Sequence, residues 1–184
     1  MSDHAESLCN RAGSGDLSAA SELVSLFYER IFAYFRRVCG NDQDAADLTQ
    51  KTFFKVWTSL GSFQRRSAFS TWLHGIAHHV YVDWRRTNRP ADSQTDKWWE
   101  VCAADGPSPF EDAAERDLAC RLFALVERLE DGVREVVHLH YYQGLSLNET
   151  AEALGIATST VKYRLRGALD FLRSQTNEPK LRAV

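Results

Sequence analysis

The chain has 184 residues, enough for one ordinary domain or two small ones, and its 22 Lys and Arg against 25 Asp and Glu give a formal net charge of -3. This balance of charge excludes a protein that coats nucleic acid with a uniformly basic surface. The sequence has no run of about 18 apolar residues and no signal-peptide pattern, so neither membrane insertion nor export is expected. The four cysteines are widely spaced and form no CxxC pair, so we expect a reduced, cytoplasmic setting.

Three helices are predicted in residues 18–90. Apolar side chains recur every three or four positions over residues 23–38, 42–60 and 73–84, which is the spacing of an amphipathic helix. Ser70 is placed to cap the third of these helices. A polar loop with the sequence SFQRRSAF separates the second helix from the third. The pattern predicts one compact helical domain.

Residues 91–112 are predicted to form a flexible acidic linker. Helical periodicity fails there, prolines and a glycine interrupt the chain, and residues 91–117 carry eight acids against two bases. The segment also contains Trp98 and Trp99. Because two adjacent exposed aromatic rings favour association, we expect both to be docked on this chain or on a partner in at least one functional state.

Helical spacing returns over residues 113–175, which end in a helix-turn-helix. Ser146 and Glu149 form a capping box at the start of its first helix, Gly155 ends that helix, and Thr158 is placed to cap the second. One face of the second helix is apolar and is expected to be buried: Val161, Leu165, Ala168, Leu169 and Leu172. In this motif the N-terminal part of the second helix meets base edges in the major groove, so the chain is predicted to bind DNA.

The fold class predicted is all-α, with two small helical domains over residues 18–90 and 113–175, because no alternating strand pattern reaches five residues. A conventional regulator that binds an operator and senses a signal through its N-terminal helices is the alternative interpretation. An enzyme is not expected, since the sequence has no Gly-rich phosphate loop, no metal cluster and no nucleophile motif.

Beyond the generic helix-turn-helix, long segments resemble one family. Residues 44–57 (DAADLTQKTFFKVW) look like region 2.2, residues 69–86 (FSTWLHGIAHHVYVDWRR) like regions 2.3 and 2.4, and residues 118–173 like region 4 of the bacterial extracytoplasmic-function (ECF) sigma factors of the sigma-70 family. The resemblance implies a sigma factor that binds RNA polymerase core, directs promoter-specific transcription initiation, needs no cofactor and is controlled by an anti-sigma factor.

The resemblance also implies where polymerase core would bind. The helix resembling region 2.2 would dock on the β′ clamp helices of the core, which also includes the β subunit. The candidate core-binding residues are Asp47, Gln50, Lys51, Phe54 and Lys55.

The loop after Gly61 and the helix that follows would meet the −10 element of the promoter. Capture of a flipped base needs polar groups for its edges, apolar or aromatic walls for its face, and cations for the neighbouring phosphates. The candidate −10 residues are Phe63, Gln64, Arg65, Arg66, Ser67, Trp72, His79, Arg85 and Arg86. Core packing is the competing interpretation for Phe63, Phe69 and Trp72.

The second helix of the helix-turn-helix would read the −35 element. The candidate −35 residues are Thr158, Ser159, Thr160, Lys162, Tyr163 and Arg166. His79 and Tyr163 differ from the Asn and the small residue usual in the family, and Glu130 replaces a frequent Pro. The promoter sequence therefore does not carry over from a relative.

No metal site is predicted. His74 and His78 are four residues apart on one helical face, as metal-ligating pairs are, but no third ligand at a supporting spacing accompanies them. We expect both histidines to be exposed or to donate to DNA.

Overall fold

The structure is a computed structural model that describes the backbone of residues 2–88 and 113–175. Within these ranges the chain is helical without a strand, and the all-α prediction is confirmed. The predicted linker at residues 91–112 lies outside the described residues. Trp98 and Trp99 lie there too, so their docking stays a prediction.

The first set of helices, here called the N-terminal group, comprises α1 (Ser2–Gly13), α2 (Leu17–Cys39), α3 (Asp42–Ser59), a 3-10 turn (Leu60–Ser62) and α4 (Phe69–Thr87). Asp16 caps α2, because its carboxylate accepts from the amides of Ser18 at 3.0 Å and Ala19 at 3.1 Å. Gly40 ends α2 at a left-handed φ of 74°. The apolar stripes of α2, α3 and α4 meet in a common core that includes Ile31, Leu48 and Leu73.

Helix α1 is an addition to the predicted elements. It packs against α2, and its buried stripe is Ala5, Leu8, Cys9 and Ala12. These residues lie at helical spacings, but only Leu8 is large, so the apolar signal is weak. Burial raises the pKa of the Cys9 thiol to about 11, and the thiol is a packing group at neutral pH.

The start of α4 differs from the prediction at Ser70. The helix begins at Phe69 with Ala68 in the capping position and no side-chain cap. The ring of Phe69 is 2% exposed, so packing of this side chain fixes the chain where the helix starts. Ser70 is already inside the helix, where its carbonyl accepts from His74 Nδ1 at 2.7 Å.

The second set, here called the C-terminal group, comprises α5 (Ala113–Glu127), α6 (Asp131–Val137), a π-helical turn (His138–Tyr142), α7 (Leu147–Leu154) and α8 (Thr158–Gln175). The capping box is confirmed: Ser146 N donates to Glu149 Oε2 at 2.8 Å, and Glu149 N donates to Ser146 Oγ at 3.3 Å. Hydrogen bonding of its carboxylate to Ser146 lowers the pKa of Glu149. Gly155 ends α7 at a left-handed φ of 64°.

Two details of α8 differ from expectation. The amides of Thr160 and Val161 bond the carbonyl of Ala157, so Ala157 holds the capping position and the Thr158 hydroxyl donates to Asn148 Oδ1 at 3.1 Å. Val161 is buried as predicted, with Leu165 and Ala168. Leu169 lies at the edge of this stripe and is 37% exposed.

The two groups pack against each other through α4 and α7. The helices approach closely at Gly75, where an added Cβ would lie 3.5 Å from the carbonyl oxygen of Ala153. Polar contacts extend this surface, here called the group interface: Arg30 with the Gln143 carbonyl, Arg37 with the Tyr142 ring, Thr71 with Glu149, His74 with Gln143, His78 with Glu135, and Arg85 with Asp131.

The group interface corrects the expectation for two histidines. His74 is fully buried, with Nδ1 donating to Ser70 and Nε2 3.4 Å from Gln143 Oε1. His78 Nδ1 lies 2.9 Å from Glu135 Oε1, and both side chains are largely buried. Their shared helical face binds the C-terminal group, so neither histidine is exposed or free to donate to DNA.

Candidate functional site

One exposed stripe of α3 contains all five candidate core-binding residues: Asp47, Gln50, Lys51, Phe54 and Lys55. Their spacing of three and four residues places them on one helical face. The opposite face is buried through Leu48, Thr52 and Val56. Because the Thr52 hydroxyl donates to the Leu48 carbonyl at 2.8 Å, the buried face has no unsatisfied polar group at that position.

The charge and shape of this stripe suit a protein partner. Phe54 is 68% exposed, and a large aromatic side chain held in water by a rigid helix is typical of an interface anchor. A carboxylate and two ammonium groups surround it. Lys55 Nζ lies 3.6 Å from Asp83 Oδ2 of α4, an exposed pair that a partner can break at little energetic cost.

The loop between the 3-10 turn and α4 presents polar side chains beside an aromatic wall. Gln64 and Arg66 are exposed, and Ser67 is half-buried. Arg65 has a φ of 54°, the left-handed region that is uncommon for a residue with a side chain. Its guanidinium donates to Asn10 Oδ1 of α1, so α1 supports this loop.

The aromatic wall consists of Phe63, Phe69 and Trp72. The rings of Phe63 and Trp72 have centroids 4.8 Å apart, and the ring of Phe69 lies 5.8 Å from each. Phe69 is a core residue, whereas Phe63 and Trp72 are half-buried. The cluster thus combines one core ring with two rings that reach the surface, and the inner ring supports the two outer rings.

The candidate −10 residues of α4 fall on two faces. The outer face of α4 carries Trp72, His79 and Arg86, which follow one another at intervals of seven residues. His79 and Arg86 are exposed. Arg85 lies on the inner face and pairs with Asp131 across the group interface. The structure therefore brings eight of the nine candidates to the loop and outer face, and holds Arg85 apart from them.

The N-terminal part of α8 presents the candidate −35 residues. Ser159, Lys162, Tyr163 and Arg166 are exposed, with Tyr163 78% exposed, while Thr158 and Thr160 are half-buried at the start of the helix. This polar face lies opposite the buried stripe. The two cations and the phenol on this face are hydrogen-bond donors. Base edges in the major groove and phosphate oxygens offer the matching acceptors.

The described side chains give no sign of a metal centre. Within residues 4–88 and 118–175, no three His, Cys, Asp or Glu side chains come together as metal ligands. Among the described helices, none combines the length and apolar character that a membrane crossing requires.

Sequence reasoning missed the residues on the C-terminal side of the group interface, chiefly Asp131, Glu135 and Gln143. These residues contact α2 and α4 across 46 to 113 positions of sequence. The spacing of His74 and His78 was the available signal, because it places two polar side chains on one face of α4 beside apolar neighbours such as Leu73 and Ala77.

Comparison with known proteins places these surfaces in a family context. The family model for sigma-70 region 2 matches residues 23–90, and the model for sigma-70 region 4 matches residues 121–172. The ECF RNA polymerase sigma factor SigW of Bacillus subtilis (strain 168) is 29% identical, over 89% of this chain and 92% of its own length. The RNA polymerase sigma factor YlaC of the same organism is 30% identical, over 84% of this chain and 91% of its own length.

The fold is also similar to that of a solved protein. CnrH, whose structure was determined in complex with the cytosolic domain of CnrY, superposes with a TM-score of 0.68 and is 26% identical. The match covers 94% of this chain and 96% of CnrH. Both helical groups therefore have counterparts in one known chain.

Proposed function

Because this chain belongs to the sigma-70 family of RNA polymerase sigma factors, in its extracytoplasmic-function group, we propose that it uses three separate surfaces to direct initiation. As a sigma factor it binds polymerase core and confers promoter-specific transcription. The N-terminal group acts over residues 18–90 with support from α1, and the C-terminal group acts over residues 113–175.

The exposed stripe of α3 is the core-binding surface. Phe54 inserts into an apolar site on the β′ clamp helices, and Asp47, Gln50, Lys51 and Lys55 pair with polar groups around it. The exposure of all five side chains on one face is the observation that carries the proposal. An operator-binding regulator would have no use for such a face, whereas a sigma factor needs it.

The loop after Gly61 and the outer face of α4 bind the −10 element. Trp72 and Phe63 present ring faces to an unstacked base, and Gln64 and Ser67 offer hydrogen bonds to its edges. Arg65, Arg66 and Arg86 bind the neighbouring phosphates, which fixes register without sequence preference. Binding of a flipped base stabilises the open duplex, and no bond-making step is assigned to the chain.

The exposed face of α8 reads the −35 element as duplex DNA. Lys162 and Arg166 project from its first three turns into the major groove, beside Ser159 and Tyr163. A bidentate Arg to guanine supplies about 1 to 3 kcal/mol of discrimination. The chain therefore acts in the cytoplasm, where polymerase and promoter DNA are.

Control by an anti-sigma factor completes the proposed function. CnrH was solved with the cytosolic domain of CnrY bound to it, and its similarity to this chain extends over both helical groups. We expect a corresponding inhibitory protein to bind here and to cover the α3 stripe, because blocking Phe54 prevents core binding whatever the promoter.

Transcription reconstituted from purified parts tests this function. Core polymerase of the source organism is mixed with the full chain and fragmented genomic DNA, and RNA 5′ ends are mapped by sequencing. Core plus chain should give discrete starts that share two upstream elements, and core alone should not. Identical start sites with and without the chain would reject the proposal.

A further inference from the structure

The loop between the 3-10 turn and α4 is held at both ends by aromatic packing. At one end the ring of Phe63 lies against Trp72, and at the other the ring of Phe69 is buried. Among the described residues, one hydrogen bond joins residues 64–67 to another helix, and it runs from the Arg65 guanidinium to Asn10 Oδ1 of α1. The middle of the loop therefore depends on α1 for its position.

The backbone of Arg65 needs such a support. Its φ is 54°, and among the described residues Arg65 is the one non-glycine residue with a positive φ. A residue with a side chain stays in the left-handed region only where its surroundings fix it there. Without the bond to Asn10, Arg65 would be free to return to a commoner conformation. A change of φ at this point would redirect Gln64 and Arg66 on either side.

Helix α1 is a firm base for this bond. Its inner face is buried through Leu8, and it contacts the 3-10 turn and α4 as well as α2. Arg11 ties it to the start of α2, because Nε and Nη2 donate to Asp16 Oδ2 at 2.9 and 2.7 Å. Asn10 lies in the last turn of α1, next to this anchor, so its amide is presented to Arg65 from a fixed place.

The guanidinium of Arg65 can serve α1 and DNA together. A guanidinium has five N–H donors, and Arg65 uses Nη2 to reach Asn10 while its side chain stays exposed. The other donors remain for a phosphate oxygen. Burial raises the pKa of the Cys9 thiol to about 11, and the positive charge of Arg65 opposes that rise, so the guanidinium lies beside two successive residues of α1.

We propose that Asn10 is a positioning residue for recognition of the −10 element: by binding Arg65 it holds the loop in one conformation, and it thereby sets base preference without touching DNA. The DNA half of this proposal rests on the proposed −10 surface. The structural half, ordering of the loop by Asn10, does not depend on polymerase or promoter.

Three substitutions in α1 test ordering of the loop. Asn10→Ala removes the acceptor, Asn10→Asp keeps one, and Ser7→Ala is the matched control, since Ser7 is exposed one turn earlier. Order parameters of residues 64–67 are measured by ¹⁵N relaxation on the free chain. The control and Asn10→Asp should give values near the rigid-backbone value of about 0.85, and Asn10→Ala values below about 0.6. Equal values for Asn10→Ala and Ser7→Ala would overturn ordering by Asn10.

Thermal midpoints of the variants are measured first. Asn10→Ala and Ser7→Ala should share one midpoint, because both side chains are exposed. Should Asn10→Ala fail to fold, Asn10→Lys replaces it, since lysine also lacks an acceptor and is a good helix former. Order parameters of Asn10→Lys that equal those of the control would contradict the proposal in the same way.

The DNA half is tested with core polymerase bound to each variant. Run-off transcription is measured on the mapped promoter and on templates substituted at each −10 position in turn. Asn10→Ala should relax preference at a −10 position by about fivefold, the equivalent of one hydrogen bond, and should keep the −35 preference. Asn10→Asp and Ser7→Ala should behave like the wild type. An unchanged −10 preference in Asn10→Ala would refute positioning.

Salt dependence separates positioning from a plain loss of affinity. Asn10→Ala removes no cation, so the salt slope of promoter binding should stay unchanged, whereas Arg65→Ala should reduce it by about 1. Uniform weakening of all sequences with a reduced slope in Asn10→Ala would contradict the proposal. Failure of transcription by the wild-type chain would reject the proposed function, while the relaxation measurement would still decide ordering of the loop.

Discussion

Phe54 is the residue whose exposure most needs a partner. It lies in the middle of α3, where neighbouring positions Thr52 and Val56 are buried, and its ring lies outside the core formed by the described residues. Sequence resemblance assigns it to polymerase binding, and the structure leaves its side chain available for that role.

We therefore expect Phe54→Ala to weaken binding of core polymerase by at least about fivefold, the loss typical of an interface anchor. Its thermal midpoint should stay unchanged, because the ring is already in water. Leu17→Ala is the matched control, since Leu17 is 73% exposed at the start of α2 and lies off the α3 stripe. Equal core affinity for the two variants, in a fluorescence titration, would exclude Phe54 from the interface.

Substitutions at Lys162 and Arg166 distinguish a contact that reads a base from a contact with phosphate. If Arg166 reads a base, Arg166→Ala should relax preference at a single promoter position by about 1 to 3 kcal/mol. If Lys162 contacts phosphate, Lys162→Ala should weaken all sequences alike and reduce the salt slope by about 1. Arg173→Ala removes the same charge from the last turn of α8 and serves as the control in the same binding titrations. A double variant that uses promoters like the wild type would exclude α8 from promoter recognition.

At the scale of the element, the capping box determines how α7 supports α8. Ser146→Ala removes the acceptor of the Glu149 amide and should lower the free energy of unfolding by about 1 kcal/mol. The loss should appear as a lower denaturant midpoint with an unchanged slope. Ser174→Ala, at the exposed end of α8, should leave the midpoint in place. Equal midpoints for Ser146→Ala and wild type would show that the box adds no stability.

The burial of two histidines predicts how the free energy of unfolding depends on pH. Burial lowers the pKa of His74 and of His138 in the folded chain, while the unfolded chain keeps values near 6.5. Below about pH 6.5 the unfolded state therefore binds protons that the folded state excludes, and the free energy of unfolding decreases as the pH falls.

His138→Gln removes one of these groups and should reduce the pH dependence of unfolding between about pH 6.5 and 5.5 by up to about 1.4 kcal/mol per unit. His79→Gln is the control, because His79 is exposed on the outer face of α4. Urea titrations across this range measure the slope. If both variants keep the wild-type dependence of the free energy of unfolding on pH, His138 does not cause the loss of stability at low pH.

At the scale of the whole molecule, the sequence predicted what local patterns encode. The apolar spacing predicted α2, α3, α4 and α8, and the reciprocal spacing of Ser146 and Glu149 predicted the capping box. The polar face of α8 was predicted because the period of a helix decides which residues share a face, whereas the resemblance to sigma factors selected the candidate residues of α3, of the loop after Gly61 and of α4. Arg85 is separated from the other candidates of α4, since it shares the face of His78 and contacts the C-terminal group.

The rest depends on contacts between distant parts of the chain. The pairing of Arg85 with Asp131 joins residues 46 positions apart, and that of Arg30 with Gln143 joins residues 113 positions apart. No periodicity within either helix specifies its partner. Helix α1 was missed for a different reason, because Ala5 and Ala12 contribute little to an apolar pattern although both are buried.

The central claim is that two helical groups of one chain read two promoter elements at once on polymerase. The most direct measurement is run-off transcription by core plus chain on a mapped promoter whose spacer is lengthened by about five base pairs, half a helical turn. This change moves the −35 element about 17 Å and turns it to the opposite side of the duplex. We predict that transcription falls to the level of a template without a −35 element, and full transcription from the lengthened template would contradict the claim.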